Sequence, residues 1–152
     1  QLEGDVALQD ICTVETDAQF DGIFSISTFE HVHDQELGLK NCFDLLKPGG
    51  RLVIIDGNLL HPGLLWNMIF VRRDGGLNWL FSKRLVREDY GLGWKGKAED
   101  VKSLFWWKRN IRKAGFSGSC FTTVCYNRPW TRRTGLWPFF GGIVVFAEKP
   151  AS

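Results

Sequence analysis

Between residues 20 and 56 the spacing of apolar positions changes twice. FDGIFSIST (20–28) places Ile23, Phe24 and Ile26 just after an Asp-Gly break, which predicts a short buried strand. From residue 34 the spacing turns helical: Asp34 is a candidate N-cap, Leu37, Cys42, Leu45 and Leu46 mark an apolar side, and KPGG (47–50) predicts the stop. RLVIID (51–56) then runs Leu52 to Ile55 as an unbroken apolar stretch rich in β-branched residues, as strands buried on both faces do. Strand, helix, glycine stop and buried strand form a βαβ unit with an expected right-handed crossover, so a parallel sheet covered by helices is predicted. Ligands bind such sheets beyond the carboxyl ends of the strands, which singles out the residues after 24–27 and after Ile55.

Beyond 59 the periodicity fades, and Trp66, Arg72, Trp79, Arg84, Tyr90 and Trp94 make the stretch to about 97 aromatic and basic. This stretch is too short and irregular for a core of its own and is predicted as a partly helical insertion. Helical order returns over 99–114, where Leu104, Trp107 and Ile111 share a face and Gly115 closes the helix. Strands are predicted at FTTVCYN (121–127) and GIVVFAEK (142–149). The chain is thus expected to hold one α/β domain over residues 1–152, interrupted at about 59–97.

Composition narrows the classes. With 152 residues, 44% of them hydrophobic and 24% charged, the chain can bury a real core. A net charge of +2 argues against nucleic-acid binding, and RPWTRR (128–133) reads as a solvated loop. Cys12, Cys42, Cys120 and Cys125 lack CxxC spacing and no signal peptide is apparent, which points to reduced thiols in the cytoplasm and not to disulfides or a zinc site. The longest greasy run, 59–71, is broken by His61, Pro62 and Asn67 and falls short of the roughly 20 apolar residues of a spanning helix, so no integral membrane segment is expected.

Two motifs invite chemistry. GLGWKG (91–96) matches GxGxxG in letters, but KRLVREDY before it is no buried strand, so a loop is expected and not a phosphate cradle. FEHVHD (29–34) packs two carboxylates and two histidines into one of the strand-end positions. Glu30 and Asp34 read as turn and cap residues, and His31 and His33 as turn histidines, unless the surroundings give them more to do.

The surroundings do so. FDGIFSISTFEHVHDQELGLKNCFDLLKPGGRLVIID resembles the central segment of class I S-adenosylmethionine-dependent methyltransferases: a strand entered by Phe-Asp, a Glu-His-Val turn, a helix ending in Leu-Lys-Pro-Gly-Gly, and a strand ending in Asp. AGF (114–116) and the final strand running into Glu148 extend the resemblance, as does Asp10-Ile11 upstream. It implies a partial Rossmann-like methyltransferase sheet, with parallel strands and an antiparallel C-terminal strand pair. It further implies S-adenosylmethionine as cofactor, with Asp10 and the Ile11 backbone at the adenine, Ser25 and Ile26 on the methionine side and His31 beside them. Some relatives hold a divalent metal near this turn; the favoured reading of FEHVHD is the rim of a cofactor pocket, with no metal assigned. Methyl transfer from a sulfonium needs alignment, desolvation and at times a base, for which His31, His61 and Asp56 are the candidates. The aromatic, basic 59–97 stretch is where such a family places its acceptor site, and it suits a small molecule or a glycan- or lipid-like acceptor.

The chain departs from the family in one respect: no strand with a glycine-rich loop, and no second strand ending in a ribose-binding acid, precedes Asp10. Binding of the cofactor by this stretch alone is expected to be weak or absent. The edge at FDGIFSIS is expected to be exposed, and exposed apolar edges pair with other chains, so a homodimer or a missing N-terminal half is the expected partner. Three functions follow: the C-terminal half of a methyltransferase, a non-catalytic half-domain serving as a binding or assembly module, or an accessory of membrane surfaces or nucleic acids.

Overall fold

The computed structural model describes residues 9–62, 85–86, 98–99, 101–123 and 139–151. Its main sheet has four strands in the order β1 (Phe20–Ile26), β2 (Leu46–Asp56), β6 (Ile143–Glu148), β5 (Ser117–Thr122). β1 and β2 run parallel, joined through helix α1 (Gln35–Leu45); β6 pairs antiparallel with both β2 and β5. A parallel unit with an antiparallel C-terminal pair is the arrangement expected above. Two short strands, β3 (Leu85–Val86) and β4 (Ala98–Glu99), pair apart from the main sheet, and helix α2 (Leu104–Lys113) precedes β5.

The covered face of the sheet carries the core. Leu52 and Ile54 of β2, Ile143 and Val145 of β6, and Cys120 and Thr122 of β5 alternate onto it, as a strand period of two requires. Against them pack Leu39 and Cys42 of α1 and Leu104, Trp107 and Ile111 of α2. Each such side chain contributes roughly 1.5–3 kcal/mol by leaving water. Phe29 and Trp107 meet edge to face at 5.7 Å, which ties the turn after β1 to α2. The opposite face differs: Phe20, Phe24, Ile26 and Phe146 point to it and are 44%, 63%, 53% and 47% exposed.

The helix ends follow capping chemistry. Asp34 caps α1 by accepting the Leu37 N–H at 2.9 Å. α2 closes on a Schellman motif: Phe116 N–H donates to Ile111 O and Gly115 N–H to Arg112 O, with Gly115 left-handed at φ 101°. At the far end of α1, Lys149 Nζ donates to Phe43 O at 2.8 Å and Leu46 O at 2.7 Å, and lies over the Phe43 ring.

Several boundaries move. KPGG does end α1, but its residues continue directly into β2 as a bulge: the β1–β2 register shifts between Phe20 and Gly22, Gly49 is left-handed at φ 77°, and Gly49 N–H and Gly50 O bond to Lys149. Leu37 lies 38% exposed, while Gln35, Gly38 and Leu39 take the inner face of α1. α2 starts at Leu104 and not near 99, because Ser103 caps it through the Trp106 N–H and Ala98–Glu99 is extended. β5 starts at Ser117, four residues ahead of the expected strand; its remainder, 124–127, lies outside the described residues, as do Cys125, GLGWKG (91–96), RPWTRR and most of the 59–97 insertion.

Candidate functional site at the carboxyl ends of β1 and β2

Parallel pairing brings the ends of β1 and β2 level, with Ile26 opposite Ile55. The chain leaves β1 through Ser27, whose N–H donates to Ile55 O at 2.8 Å and whose φ of 47° is left-handed. Such strain in a residue other than glycine persists only where surrounding contacts hold it, and it concentrates at functional sites. A single 3-10 turn (Phe29–His31) follows, anchored by buried Phe29.

That turn sets Glu30 against Asp56, the last residue of β2. Asp56 is 6% exposed; Gly57 N–H donates to its Oδ1 at 3.0 Å, and both the backbone and the side chain of Glu30 hydrogen-bond to its carboxyl group. Burial, reinforced by the Glu30 charge, pushes Asp56 up to about 7. Below that value the pair holds one proton, on Asp56, beside the Glu30 charge. Residue 57 is glycine for a packing reason: a Cβ there would lie 3.0 Å from Glu30 Oε2 and 3.0 Å from Val101 Cγ1. His31 Nε2 stands 3.8 Å from Glu30 Oε1 and is 40% exposed, so an imidazole open to solvent lies beside the pair. A buried carboxyl pair with a histidine at its mouth is an arrangement for accepting and relaying a proton near neutral pH.

Of the three expected bases, Asp56 and His31 come together here through Glu30. His61 lies on the next turn, half-buried, its N–H donating to Asn58 O at 3.0 Å. Ser25 and Ile26 face opposite sides of the sheet: Ser25 Oγ is buried with no hydrogen-bond partner, and Ile26 is on the open face. Asp10 and Ile11 sit in a turn on another side of Phe29–Asp34. Asp10 Oδ1 accepts the Cys12 N–H at 2.9 Å, Asp10 Oδ2 lies 3.6 Å from His33 Nδ1, and Ile11 O accepts from Asn41 Nδ2 at 2.8 Å. The Asp10 carboxylate is about half exposed and can accept from a ligand amino group; the Ile11 carbonyl is already engaged.

Glu30 is the member of the site that sequence reasoning left as a turn residue. Its signal was its place in the turn leaving β1, opposite an acid ending β2; the pairing itself is visible only in three dimensions. A depression lined by Glu15, Asp17, Asn41 and Asp44 lies near the amino ends of β1 and β2, away from this chemistry.

Comparison with known proteins bears on the fold. Residues 3–54 match a family model described as a methyltransferase domain. The ubiquinone biosynthesis O-methyltransferase of Coxiella burnetii is 37% identical over 70 residues, 45% of this chain and 30% of the relative. The chain thus spans 30% of the length of the curated relatives it matches. A Methanosarcina mazei S-adenosylmethionine-dependent methyltransferase superposes with a TM-score of 0.65 at 15% identity, covering 95% of this chain and 66% of that one. The Haemonchus contortus phosphoethanolamine N-methyltransferase 2, solved with S-adenosyl-L-methionine, gives a TM-score of 0.54 at 14% identity, covering 93% and 36%. The fold is that of class I S-adenosylmethionine-dependent methyltransferases, and the matched sequence contains FEHVHD and the first four residues of RLVIID, ending before Asp56.

Proposed function

We propose that this chain forms the C-terminal part of an S-adenosylmethionine-dependent methyltransferase, and that the transfer it serves goes to a hydroxyl oxygen of a small-molecule acceptor. The observation that carries the reading is the Glu30–Asp56 pair with His31, at the strand ends where this fold binds ligands. The bound cofactor supplies an already activated methyl group. The protein must therefore align the acceptor, keep water out and take up the acceptor proton. An acceptor hydroxyl loses its proton as the methyl–oxygen bond forms. Asp56, poised near 7, is a base suited to that step, with Glu30 sharing the proton and His31 passing it outward. Asp10 accepts from the adenine amino group, and the end of β1 at Ser25 and Ile26 borders the methionine portion. The oxygen acceptor in the Coxiella burnetii relative's name supports this choice.

The surfaces that hold the ribose and carboxypropyl parts in this family are not among the residues of this sequence, so the chain alone binds the cofactor weakly. Among the described residues β1 is an edge strand with an apolar, exposed face, suited to a second copy or to the N-terminal half of a methyltransferase domain. The test is titration of S-adenosylhomocysteine into this chain and into a chimera that places the first strands and glycine-rich loop of the Coxiella burnetii relative before it. The chimera should bind at micromolar concentration and the chain hardly at all. Asp10→Ala in the chimera should weaken binding at least tenfold. A folded chimera that fails to bind, or binds as well without Asp10, would sink the proposal.

A further inference from the structure

The four cysteines show no metal-binding spacing, yet the fold puts one of them beside a histidine and a carboxylate distant in sequence. Asp10 Oδ, Cys12 Sγ and His33 Nδ1 or Nε2 lie within 4.8 Å of one another. Their backbones are fixed by contacts that owe nothing to an ion. The 10–13 turn is closed by Thr13 N–H to Asp10 O at 3.0 Å and by Cys12 N–H to Asp10 Oδ1 at 2.9 Å; Asn41 holds Ile11 O. His33 directly precedes Asp34, the cap of α1, so it is carried on a helix entry and not on a free loop. Cys12 Sγ is buried and 3.3 Å from Asp34 O, a neutral oxygen that completes the surroundings of the thiol.

We infer that Asp10, Cys12 and His33 form a binding site for a thiophilic divalent cation of the zinc type. Sulfur, imidazole nitrogen and carboxylate oxygen are the donor types that zinc and its neighbours take, whereas magnesium and calcium require oxygen throughout. Zinc bonds of about 2.0–2.3 Å in a tetrahedron set donors roughly 3.3–3.8 Å apart. The 3.6 Å between Asp10 Oδ2 and His33 Nδ1 already meets that spacing, and the remaining donors need only a side-chain adjustment. The Asp10 carboxylate beside the sulfur also favours a cation, which would hold Cys12 as thiolate. A solvent molecule takes the fourth place. The inference is independent of methyl transfer. It does compete with the adenine role of Asp10, since a bound cation neutralises that carboxylate and fastens the 10–13 turn to the 29–34 turn.

Cobalt(II), used without any cofactor, tests the site by spectrum. Titration into the reduced 152-residue chain should produce a thiolate-to-cobalt charge-transfer band in the near ultraviolet together with visible ligand-field bands, and zinc should abolish both. Cys12→Ser should remove the charge-transfer band. His33→Ala, a change at an exposed side chain, should weaken cobalt binding at least about tenfold, as should Asp10→Asn; circular dichroism of each variant should match that of the parent chain. No band in the parent chain, a band that survives Cys12→Ser, or unchanged affinity in a folded His33→Ala chain would overturn the site. The last two outcomes would place the metal on other thiols.

Discussion

The two faces of the main sheet are built from the same strands and yet live in different surroundings. On one side Leu52, Ile54, Ile143 and Val145 are sealed beneath α1 and α2, with 0% exposure each. On the other Phe20, Phe24, Ile26 and Phe146 stand open, and Phe121 stacks on Phe146 at 5.7 Å. No described helix covers that side. A parallel strand pair normally carries cover on both faces, and among the described residues only one face of this sheet is sealed by helices. Among the described residues, the packing that stabilises the chain lies on the covered side.

Unequal losses should separate the two sides. Leu52→Ala, on the covered side, should cost about 2–5 kcal/mol, as removal of a large side chain from a packed core does, and urea unfolding should show it. If the loss is under about 1 kcal/mol, the covered face is not the folding core. Asp56 sits at the boundary, and its effect depends on pH. Its carboxyl is held protonated in the folded chain to about 7, well above its unfolded value near 4, so the native state binds the extra proton between those limits. Stability should therefore fall as pH rises from about 4 to about 7 and level off above, by an amount on the order of 1–4 kcal/mol. Asp56→Asn should flatten that slope, and a slope unchanged in the variant would remove the buried pair from the account. In a chimera that binds the cofactor, the proposed methyl transfer should move the opposite way with pH, rising through about 7 as Asp56 is freed to act as base.

Asp34→Ala should cost about 1 kcal/mol by leaving the Leu37 N–H without its cap. The smallest effect on stability should come from the open face: Phe24→Ser should change the unfolding free energy by less than about 0.5 kcal/mol, as surface substitutions do. The same change should shift sedimentation toward the monomer if a second copy covers that side. A variant that unfolds markedly more easily, with no change in mass, would show instead that the face is buried within the chain.

What the sequence disclosed follows the range of the interactions involved. β1, α1, β2 and β6 were legible because a strand or helix announces itself through neighbours along the chain: the Ile23–Ile26 cluster, the Asp34 cap, the unbroken Leu52–Ile55 run. Leu37 was misplaced because the α1 stripe is rotated toward Leu39 and Cys42, and Gln35 and Gly38 occupy positions that polarity and size had hidden. KPGG reads as a turn in one dimension, but pairing with Lys149 draws it into the sheet. Asp56 could be picked out as an acid ending a strand. Glu30 acquires its meaning only when parallel pairing sets the two strand ends side by side, and the Cys12–His33 neighbourhood likewise joins segments that no local window contains.

The bonds from Lys149 to Phe43 O and Leu46 O bear on the order in which the chain can fold during synthesis. The last turn of α1 and the start of β2 receive those donors from a residue that the ribosome adds about a hundred positions later, and β2 waits equally long for β6 on its inner edge. A nascent chain that has emerged only to residue 60 has its βαβ unit in sequence but lacks the neighbours that hold it. Native structure of this sheet should therefore arrive late, after β6 is released, and nascent chains stalled before Lys149 should be digested by protease as readily as unfolded ones.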